Sequence, residues 1–336
     1  MNIRSPNNFD LIRFLASSLV LFSHSFPLVL NARSEPLSLL SDGQYNGGRL
    51  AVIIFFILSG FLITSSWDAR RNLQGFIFSR ILRIFPALVV VLILSIVFSA
   101  LITTADGSSF LKSSLIYFIK NVTLYKGKFD IDGVFLNNPY GAAINGSLWT
   151  LRHEFTCYLV IGAFGYLRIL NKRFIWIVWL ACLLLSNLSI FSLTFLVEFP
   201  PLLCWFLTGT LVYLYKDTNF SRSFLIIAVG IILVFILFKI NLIFISPIIA
   251  LVLIYLSYIK TPFVNFGKYG DFSYGIYIYA FPVQQFVIYY AMKSAISPIE
   301  WWLVFILSFP ITLFFAVLSW HLVEKRYLKL KIKIKA

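Results

Sequence analysis

The chain has 336 residues, of which 60% are hydrophobic and only 12% are charged. Soluble proteins carry about a quarter charged residues, so this composition excludes a soluble domain and predicts a polytopic protein of the lipid bilayer. Lysine and arginine concentrate in the cytoplasmic loops of such proteins, so the net charge of +15 does not indicate a nucleic-acid partner.

Ten apolar segments of helix length predict an all-α integral membrane protein. The predicted spans are residues 9–30, 49–67, 84–104, 147–168, 173–190, 198–215, 223–239, 242–259, 273–292 and 300–322. An even number of crossings places both termini on one side, and the basic residues of short loops such as 68–83 identify that side as the cytoplasm. We therefore expect a single bundle of about ten transmembrane helices with both termini cytoplasmic.

The longest segment between predicted spans is residues 105–146. Residues 110–125 within it are mildly amphipathic and are expected to lie along the outer membrane surface, whereas the remainder is expected to be irregular. No internal repeat is visible, so residues 1–336 are predicted to form one transmembrane domain without an appended soluble domain. The three cysteines lie inside apolar spans without metal-ligand spacing, which predicts no metal site.

The first span carries an arginine and a histidine on one face. Arg13 and His24 are eleven residues apart. At about 100° per residue this spacing brings both side chains to the same side of a helix, about 16 Å apart along its axis. Either residue alone is explained equally well by an arginine snorkelling to the interface and a histidine hydrogen-bonded in the core. Because ionisable groups in a membrane are costly unless they face a protein interior or a wet cavity, the aligned pair favours a functional site.

Two arginines precede the third predicted span. Arg80 and Arg83 stand at positions i and i+3 of one helix face, and Pro86 is expected in the first turn of the helix that follows. Arginines at a cytoplasmic helix end are explained by topology alone. The functional alternative is that they join Arg13 in a patch of three guanidinium groups, which suits bidentate binding of phosphates on a soluble donor.

The fourth predicted span opens with three consecutive ionisable residues, Arg152, His153 and Glu154. From the rise of a helix, Glu154 is expected about 10 Å below the outer surface and His24 about 9 Å below it. A histidine and a carboxylate at matching depth can form a general-base pair, in which the carboxylate orients the imidazole and stabilises its protonated form. The alternative is a structural Arg152–Glu154 cluster with His153 at the membrane interface.

Two further segments predict helix packing. Ser59 and Gly60 in the second span are small residues that let two helices approach closely. No base or G-x-S-x-G turn accompanies Ser59 to make it a nucleophile. Tyr274 and Tyr277 in the ninth span are expected to line a packing seam, with their hydroxyl groups towards a cavity.

Together these segments resemble membrane-bound acyltransferase family 3. The stretch from Phe9 to His24 resembles the Arg-x10-His signature that opens the family, and further motifs follow in the family's order over nearly the whole chain. These motifs are residues 55–61, Arg80-x-x-Arg83 with Pro86, residues 147–151 with Glu154, residues 273–277 and residues 323–325.

The resemblance implies a ten-helix enzyme of the bacterial cytoplasmic (inner) membrane. Members of the family move an acyl group, usually acetyl from acetyl-CoA, onto hydroxyl groups of surface polysaccharides or related glycans. The resemblance implies that His24 is the catalytic histidine and Glu154 its acidic partner, and that Arg13, Arg80 and Arg83 contact coenzyme A. Other residues expected to line the site are Asp10, Ser59, Trp149, Arg152, His153, Tyr274 and Tyr277.

The chain departs from the family pattern at two positions. Ala280 stands in the tyrosine-rich segment where relatives often carry a histidine, which bears on acceptor contacts in that helix. Arg326 follows the closing Glu-Lys pair where relatives usually have a proline, and this change is expected to affect only a helix end.

The residues and the resemblance lead to one hypothesis. Acetyl-CoA or another acyl-CoA docks at the cytoplasmic arginines, and its thioester meets His24 in the outer half of the membrane. There the acetyl group passes to a hydroxyl of a polysaccharide or lipid-linked glycan. One alternative is a polysaccharide flippase or transporter with an intramembrane charged pathway, which the lack of repeats and of matching broken helices disfavours. A second alternative, an inactive acyltransferase-like sensor, is disfavoured because both His24 and Glu154 are present.

Overall fold

The computed structural model describes residues 7–30, 32–187, 194–218, 221–264, 266–294 and 298–333. Within these ranges the chain is built from helices and connecting turns, and no strand occurs in them. The predicted all-α class is confirmed.

Thirteen α-helices follow one another in the described part of the chain. They are α1 Phe9–Leu28, α2 Pro36–Leu40, α3 Gly47–Asp68, α4 Leu73–Ala100, α5 Gly107–Val122, α6 Trp149–Tyr166, α7 Lys172–Asn187, α8 Thr194–Leu214, α9 Arg222–Leu237, α10 Ser246–Ser257, α11 Ser273–Lys293, α12 Trp301–Ser319 and α13 Lys325–Lys333. Short 3-10 helices occur at Ala32–Ser34, Gly146–Leu148, Leu242–Ile245 and Phe266–Lys268, and a π-helical turn at Trp320–Glu324 joins α12 to α13. Each of the ten predicted spans overlaps one of these α-helices, although span 173–190 runs beyond α7 into residues outside the described ranges.

Five helical stretches in the described residues are long and apolar enough to cross a membrane. They are Phe9–Leu28, Gly47–Asp68, Leu73–Ala100, Phe195–Leu214 and Trp301–Leu330. The other predicted spans contain shorter helices, such as the 12-residue α10, or helices with more polar or ionisable residues, such as α6 and α11. Five candidate spans support the predicted membrane class, and the total of ten crossings with cytoplasmic termini stays a prediction.

Helix α4 begins earlier than the sequence indicates. It starts at Leu73, and Pro86 lies inside it, so the prediction that Pro86 occupies the first turn of a helix is wrong. The polar residues before position 84 lower the local hydropathy, but arginine and leucine are good helix formers and the helix continues through them. Arg80 and Arg83 therefore lie within α4 itself.

Helix α5 lies in segment 105–146, between the third and fourth predicted spans, where an amphipathic stretch is predicted. Its side chains Leu111, Leu115 and Ile119 are exposed and recur every four residues, so they form one apolar stripe. Asp106 caps its N-terminus, and the hydrogen bond from the Ser108 side chain holds the pKa of the Asp106 carboxyl well below its usual value. An exposed apolar stripe on a capped helix is typical of a helix that lies on a membrane surface.

The chain divides into two compact units, each assembled from separate stretches of sequence. The first unit comprises Met1–Arg13, Val52–Phe78 and His153–Lys268, and the second comprises Phe14–Ala51, Ser79–Arg152 and Tyr269–Ala336. Each unit is therefore stabilised by contacts between segments that are distant in sequence.

In the first unit, α8 packs against α7 and α10, and α3 crosses α8 at a pair of glycines. A Cβ atom on Gly60 would lie 1.9 Å from the carbonyl oxygen of Phe206, and one on Gly209 would lie 2.0 Å from the carbonyl oxygen of Ile57. Glycine is thus required on both helices, which confirms that Gly60 permits close helix packing.

In the second unit, α11 is mostly buried and packs along α12. A Cβ atom on Gly275 would lie 2.8 Å from Cα and Cβ of Ala316, so the two helices approach closely at this point. The turn before α6 also rests on α11, because the Asn145 side-chain amide donates a 2.8 Å hydrogen bond to the carbonyl oxygen of Ile278. Helix α11 is the central element of this unit.

Candidate active site

His24 lies near the end of α1 in the second unit, and its side chain is half-buried. The imidazole meets the ring of Phe281 edge to face, with the ring centroids 5.5 Å apart. Its Nδ1 atom is buried and has no hydrogen-bond partner among the described residues. Within the described ranges a ring nitrogen of His24 is therefore left unengaged, as expected of a group that takes up and releases protons.

The Asn145-Gly146 turn holds Phe281 in this position. A Cβ atom on Gly146 would lie 2.8 Å from the Phe281 ring, so only glycine leaves room for it. Sequence reasoning gave this turn no role, although an Asn-Gly pair before a span is a recognisable signal for a tight turn. The turn thus links the fourth-span motif to His24 through Phe281.

Glu154 lies in α6 in the first unit, where two hydroxyl groups donate to it. Ser59 Oγ of α3 donates to Glu154 Oε1 over 3.3 Å, and the Tyr158 hydroxyl, one turn further along α6, donates to the same oxygen. The two hydroxyl donors fix the orientation of the Glu154 carboxyl group. Ser59 is therefore a partner of Glu154 as well as a neighbour of the Gly60 helix contact.

His153 is completely buried in an aromatic pocket of the first unit. Its ring stacks on Phe195 and on Phe199 of α8, with centroids 4.9 and 6.2 Å apart. Its Nε2 lies 3.7 Å from Oε2 of Glu198. The sequence analysis missed Glu198, and the available signal was a lone carboxylate at the start of an apolar span.

Arg83 is held by two carboxylates within the second unit. Its guanidinium lies 2.5 Å from Asp271 Oδ2 and 3.4 Å from Glu324 Oε2, and it stacks over the Tyr274 ring at 5.7 Å. Glu324 is itself buried and accepts a 3.0 Å hydrogen bond from Ser319 Oγ. The two carboxylates fix the Arg83 side chain and more than balance its charge, so a phosphate at this position would compete with them. Contact between Arg83 and coenzyme A stays a prediction.

The other two arginines proposed for the donor patch have different surroundings. Arg13 pairs with Asp10 one turn earlier in α1, at 3.6 Å, and Asp10 packs closely against Gly267 in the first unit. Arg80, in the second unit, has two guanidinium nitrogens within 3.2 Å of the Ser79 hydroxyl. Arg13 and His24 lie on the unbroken helix α1, as their spacing requires.

The tyrosines of α11 tie helices together. The Tyr274 hydroxyl donates to the carbonyl oxygen of Ile84 at 2.8 Å. The Tyr277 hydroxyl donates to the carbonyl oxygen of Ser147 at 2.7 Å and lies 2.5 Å from the Thr150 hydroxyl. These contacts confirm the packing seam, and Trp149, beside this contact, is partly exposed.

The proposed catalytic residues fall in different compact units. His24, Arg80 and Arg83 belong to the second unit, whereas Arg13 and Glu154 belong to the first. The pairing of His24 with Glu154 and the three-arginine patch therefore stay predictions. No cluster of three His, Cys, Asp or Glu side chains that could hold a metal ion occurs in the part of the chain that the structure describes.

Comparison with known proteins identifies the family. The model of acyltransferase family 3, described as an acyltransferase domain, matches residues 7–321. An O-acetyl transferase of Shigella phage Sf6 is 32% identical over 341 aligned positions, which cover 97% of each protein. Nodulation protein 10 of Rhizobium leguminosarum bv. viciae is 31% identical over 159 positions, covering 46% of this chain and 43% of that protein. No solved structure matches the chain. Since the family model spans nearly the whole sequence, the chain belongs to acyltransferase family 3 and is a membrane acyltransferase.

Proposed function

We propose that this protein is an O-acetyltransferase that moves an acetyl group from cytoplasmic acetyl-CoA to a hydroxyl group of a surface polysaccharide or related glycan. The similarity to the phage O-acetyl transferase over 97% of both chains supports the O-acetyl transfer. The observation that carries the chemistry is His24, an imidazole with an unengaged buried nitrogen inside an apolar helix. An ionisable residue within a membrane span costs free energy, so its presence there favours a functional role.

His24 is the proposed base of the transfer. In a direct transfer, the imidazole takes the proton of the sugar hydroxyl while the oxygen attacks the thioester carbonyl. The new ester bond forms, the carbon–sulfur bond breaks, and the thiolate of coenzyme A then takes the proton from the imidazolium. In a relay, His24 carries the acetyl group itself before the hydroxyl accepts it. Both routes need one imidazole that both substrates reach.

Glu154 is the proposed acidic partner of His24. Its carboxylate is held by the Ser59 and Tyr158 hydroxyl groups, which fix the orientation of the side chain. A carboxylate in this state stabilises an imidazolium that forms during proton transfer. In this proposal Glu154 pairs with His24 during the proton transfer.

The arginines are the proposed donor site. Arg13 near the start of α1 and Arg80 and Arg83 in the first half of α4 supply guanidinium groups for the phosphates of coenzyme A. Since Arg83 is held by Asp271 and Glu324, we assign Arg80 the larger share of donor binding.

The protein is proposed to cross the bacterial cytoplasmic membrane ten times, with both termini in the cytoplasm. A helix in every predicted span and the basic residues of the short loops support this topology. It places the arginines at the inner surface and His24 in the outer half of the bilayer. The acyl donor then arrives from the cytoplasm and the polysaccharide or lipid-linked glycan from the outside.

Purified protein reconstituted in vesicles tests this function. We expect label from acetyl-CoA to appear as an alkali-labile ester on an added bacterial glycan, with one free coenzyme A released for each ester formed. The same preparation without glycan serves as the control for hydrolysis. Movement of the glycan across the vesicle membrane without any acetyl ester would contradict the proposal and favour a transporter.

A further inference from the structure

Gln284 of α11 is a completely buried amide that binds the helix turn carrying His24. Its Nε2 donates to the carbonyl oxygen of Leu21 and to the hydroxyl of Ser25, both over 2.8 Å. The Ser25 hydroxyl in turn donates to the carbonyl oxygen of Leu21 at 3.1 Å. These partners lie three residues before and one residue after His24, so a single side chain ties both flanks of His24 to α11.

The turn of α1 that carries His24 is short of internal hydrogen bonds. Pro27 has no N–H group, so the carbonyl oxygen of Ser23 lacks the donor that a helix normally supplies. The helix then ends at Leu28. A helix end weakened in this way relies on contacts from neighbouring elements to keep one conformation.

Helix α11 supplies two such contacts from one face. Phe281 and Gln284 are three residues apart, so their side chains leave α11 on the same side. Phe281 meets the ring of His24, and Gln284 binds the main chain and hydroxyl beside it. The imidazole is thus restrained directly by an aromatic edge and indirectly through its backbone.

Two buried polar atoms at this contact are not paired. Nδ1 of His24 and Oε1 of Gln284 both lack a hydrogen-bond partner among the residues that the structure describes. Buried polar atoms are nearly always paired in proteins, and exceptions need an explanation such as a catalytic role. Two exceptions in one small contact between α1 and α11 point to a functional arrangement.

We propose that Gln284 is a positioning residue for His24, which holds the end of α1 so that the imidazole keeps its reactive orientation. The proposal rests on the proposed function of His24. Gln284 contributes to the rate of transfer through His24, and binding of either substrate does not depend on it.

The test replaces Gln284 by methionine, which has a similar volume and no N–H donor. Misplacement of a catalytic group by about 1 Å can cost about 100-fold in rate, so we expect kcat of Gln284→Met to fall by about 10- to 100-fold. The KM values for acetyl-CoA and for the glycan are expected to stay within about twofold of the wild type, because Gln284 is not proposed to contact either substrate.

The adjacent Gln285 provides a matched control. It is equally buried, but its amide donates to the carbonyl oxygens of Gly141 and Ala143 at 3.1 and 2.7 Å and not to the turn of α1 that carries His24. We expect Gln285→Met to retain kcat within about threefold of the wild type, because the Gln285 amide does not hydrogen-bond the turn that carries His24. A loss of kcat in Gln285→Met equal to that in Gln284→Met would overturn the proposal, since burial alone would then explain both.

Ser25→Ala is a milder second variant that decides the case if Gln284→Met does not fold. It removes one of the two acceptors, so kcat should fall less than in Gln284→Met, again with unchanged KM values. In the double variant the two losses should not add, because both act through the same turn.

Wild-type kcat in both Gln284→Met and Ser25→Ala would overturn the positioning role. If His24→Ala is inactive in the same experiment, the proposed function survives that result. Full activity of His24→Ala would instead refute the proposed function itself, whatever Gln284→Met does.

Discussion

At the scale of single residues, Arg83 shows how the fold accommodates charge inside an apolar helix bundle. Its guanidinium is mostly buried and lies between Asp271 and Glu324. The two carboxylates come from positions 188 and 241 residues further along the chain. Removing the arginine would leave two acidic groups without their counter-charge in a poorly solvated place.

We therefore expect Arg83→Ala to destabilise the protein by about 3–5 kcal/mol, the range for breaking a buried ion pair. Arg71→Ala is the control, because Arg71 pairs with Asp68 over 2.9 Å while its side chain is 78% exposed. An exposed pair contributes about 1 kcal/mol or less. Thermal unfolding of both variants in the same detergent compares them, and equal midpoints would refute a structural role for the Arg83 cluster.

Glu154 gives a second prediction at this scale. The Tyr158 hydroxyl donates to its carboxylate, and a hydrogen bond to a charged group contributes about 1.5–3 kcal/mol. If Glu154 supports the transition state, Tyr158→Phe should lower kcat by at least about tenfold, because a disordered carboxylate stabilises the imidazolium less well. Tyr166→Phe, on the exposed side of the same helix, should leave kcat unchanged. A wild-type rate in Tyr158→Phe would argue against a catalytic carboxylate at Glu154.

At the scale of helices, the crossing of α3 and α8 depends on two glycines. The carbonyl oxygen of Phe206 occupies the place that a side chain at Gly60 would need. Membrane helices gain little from hydrophobic burial against one another, so close backbone packing of this kind is a main source of their association. Thr64 and Thr210 add a 3.0 Å hydrogen bond at the same crossing.

Gly60→Ala is therefore expected to destabilise the protein by about 1–3 kcal/mol through overpacking. Gly230→Ala is the matched control, since no atom lies within 4 Å of the position of its Cβ in α9. Alanine is favoured over glycine in a helix interior by about 1 kcal/mol, so the control should be neutral or stabilising. Thermal unfolding midpoints measure both variants, and a stabilising Gly60→Ala would show that the helices are not in close contact there.

The helices and the candidate residues could be predicted because both depend on local sequence. Apolar stretches of helix length predicted ten spans, and an α-helix overlaps each of them. The placement of Arg13 and His24 on one helix face required only the helical repeat. The Tyr158–Glu154 contact also follows this repeat, since the two residues are four apart. The partners of Arg83 could not be predicted in this way, because only the fold brings Asp271 and Glu324 to it.

Helix boundaries and the partners of partly exposed acidic residues could also not be predicted from the sequence. Hydropathy placed the start of the third span at residue 84, although α4 begins at Leu73 and runs through two arginines before that point. Glu198 gave only a weak signal, and its approach to His153 depends on how α8 packs within the first unit. Tertiary contacts decide such features, and single-sequence patterns do not contain them.

At the scale of the whole molecule, the proposed reaction joins a donor from the cytoplasm to an acceptor from the outside. A separate donor site predicts that a substitution in it changes KM for acetyl-CoA and leaves KM for the glycan unchanged. Arg80→Gln removes the charged guanidinium but keeps a polar side chain. We expect KM for acetyl-CoA to rise by about tenfold, as for the loss of one charged hydrogen bond. The KM for the glycan should stay unchanged, and an equal rise in both KM values would refute a dedicated donor site at Arg80.

The most direct test of the central claim uses two of the three histidines of the chain, His24 and His321. Transfer of labelled acetyl from acetyl-CoA to glycan is measured with purified wild type, His24→Ala and His321→Ala, each with an unchanged unfolding midpoint. Loss of a general base costs about 100- to 10,000-fold in rate, so His24→Ala should show no more than about 1% of wild-type transfer. His321 is exposed in the π-helical turn Trp320–Glu324, so His321→Ala should retain the wild-type rate. Transfer by His24→Ala at the wild-type rate would contradict the account.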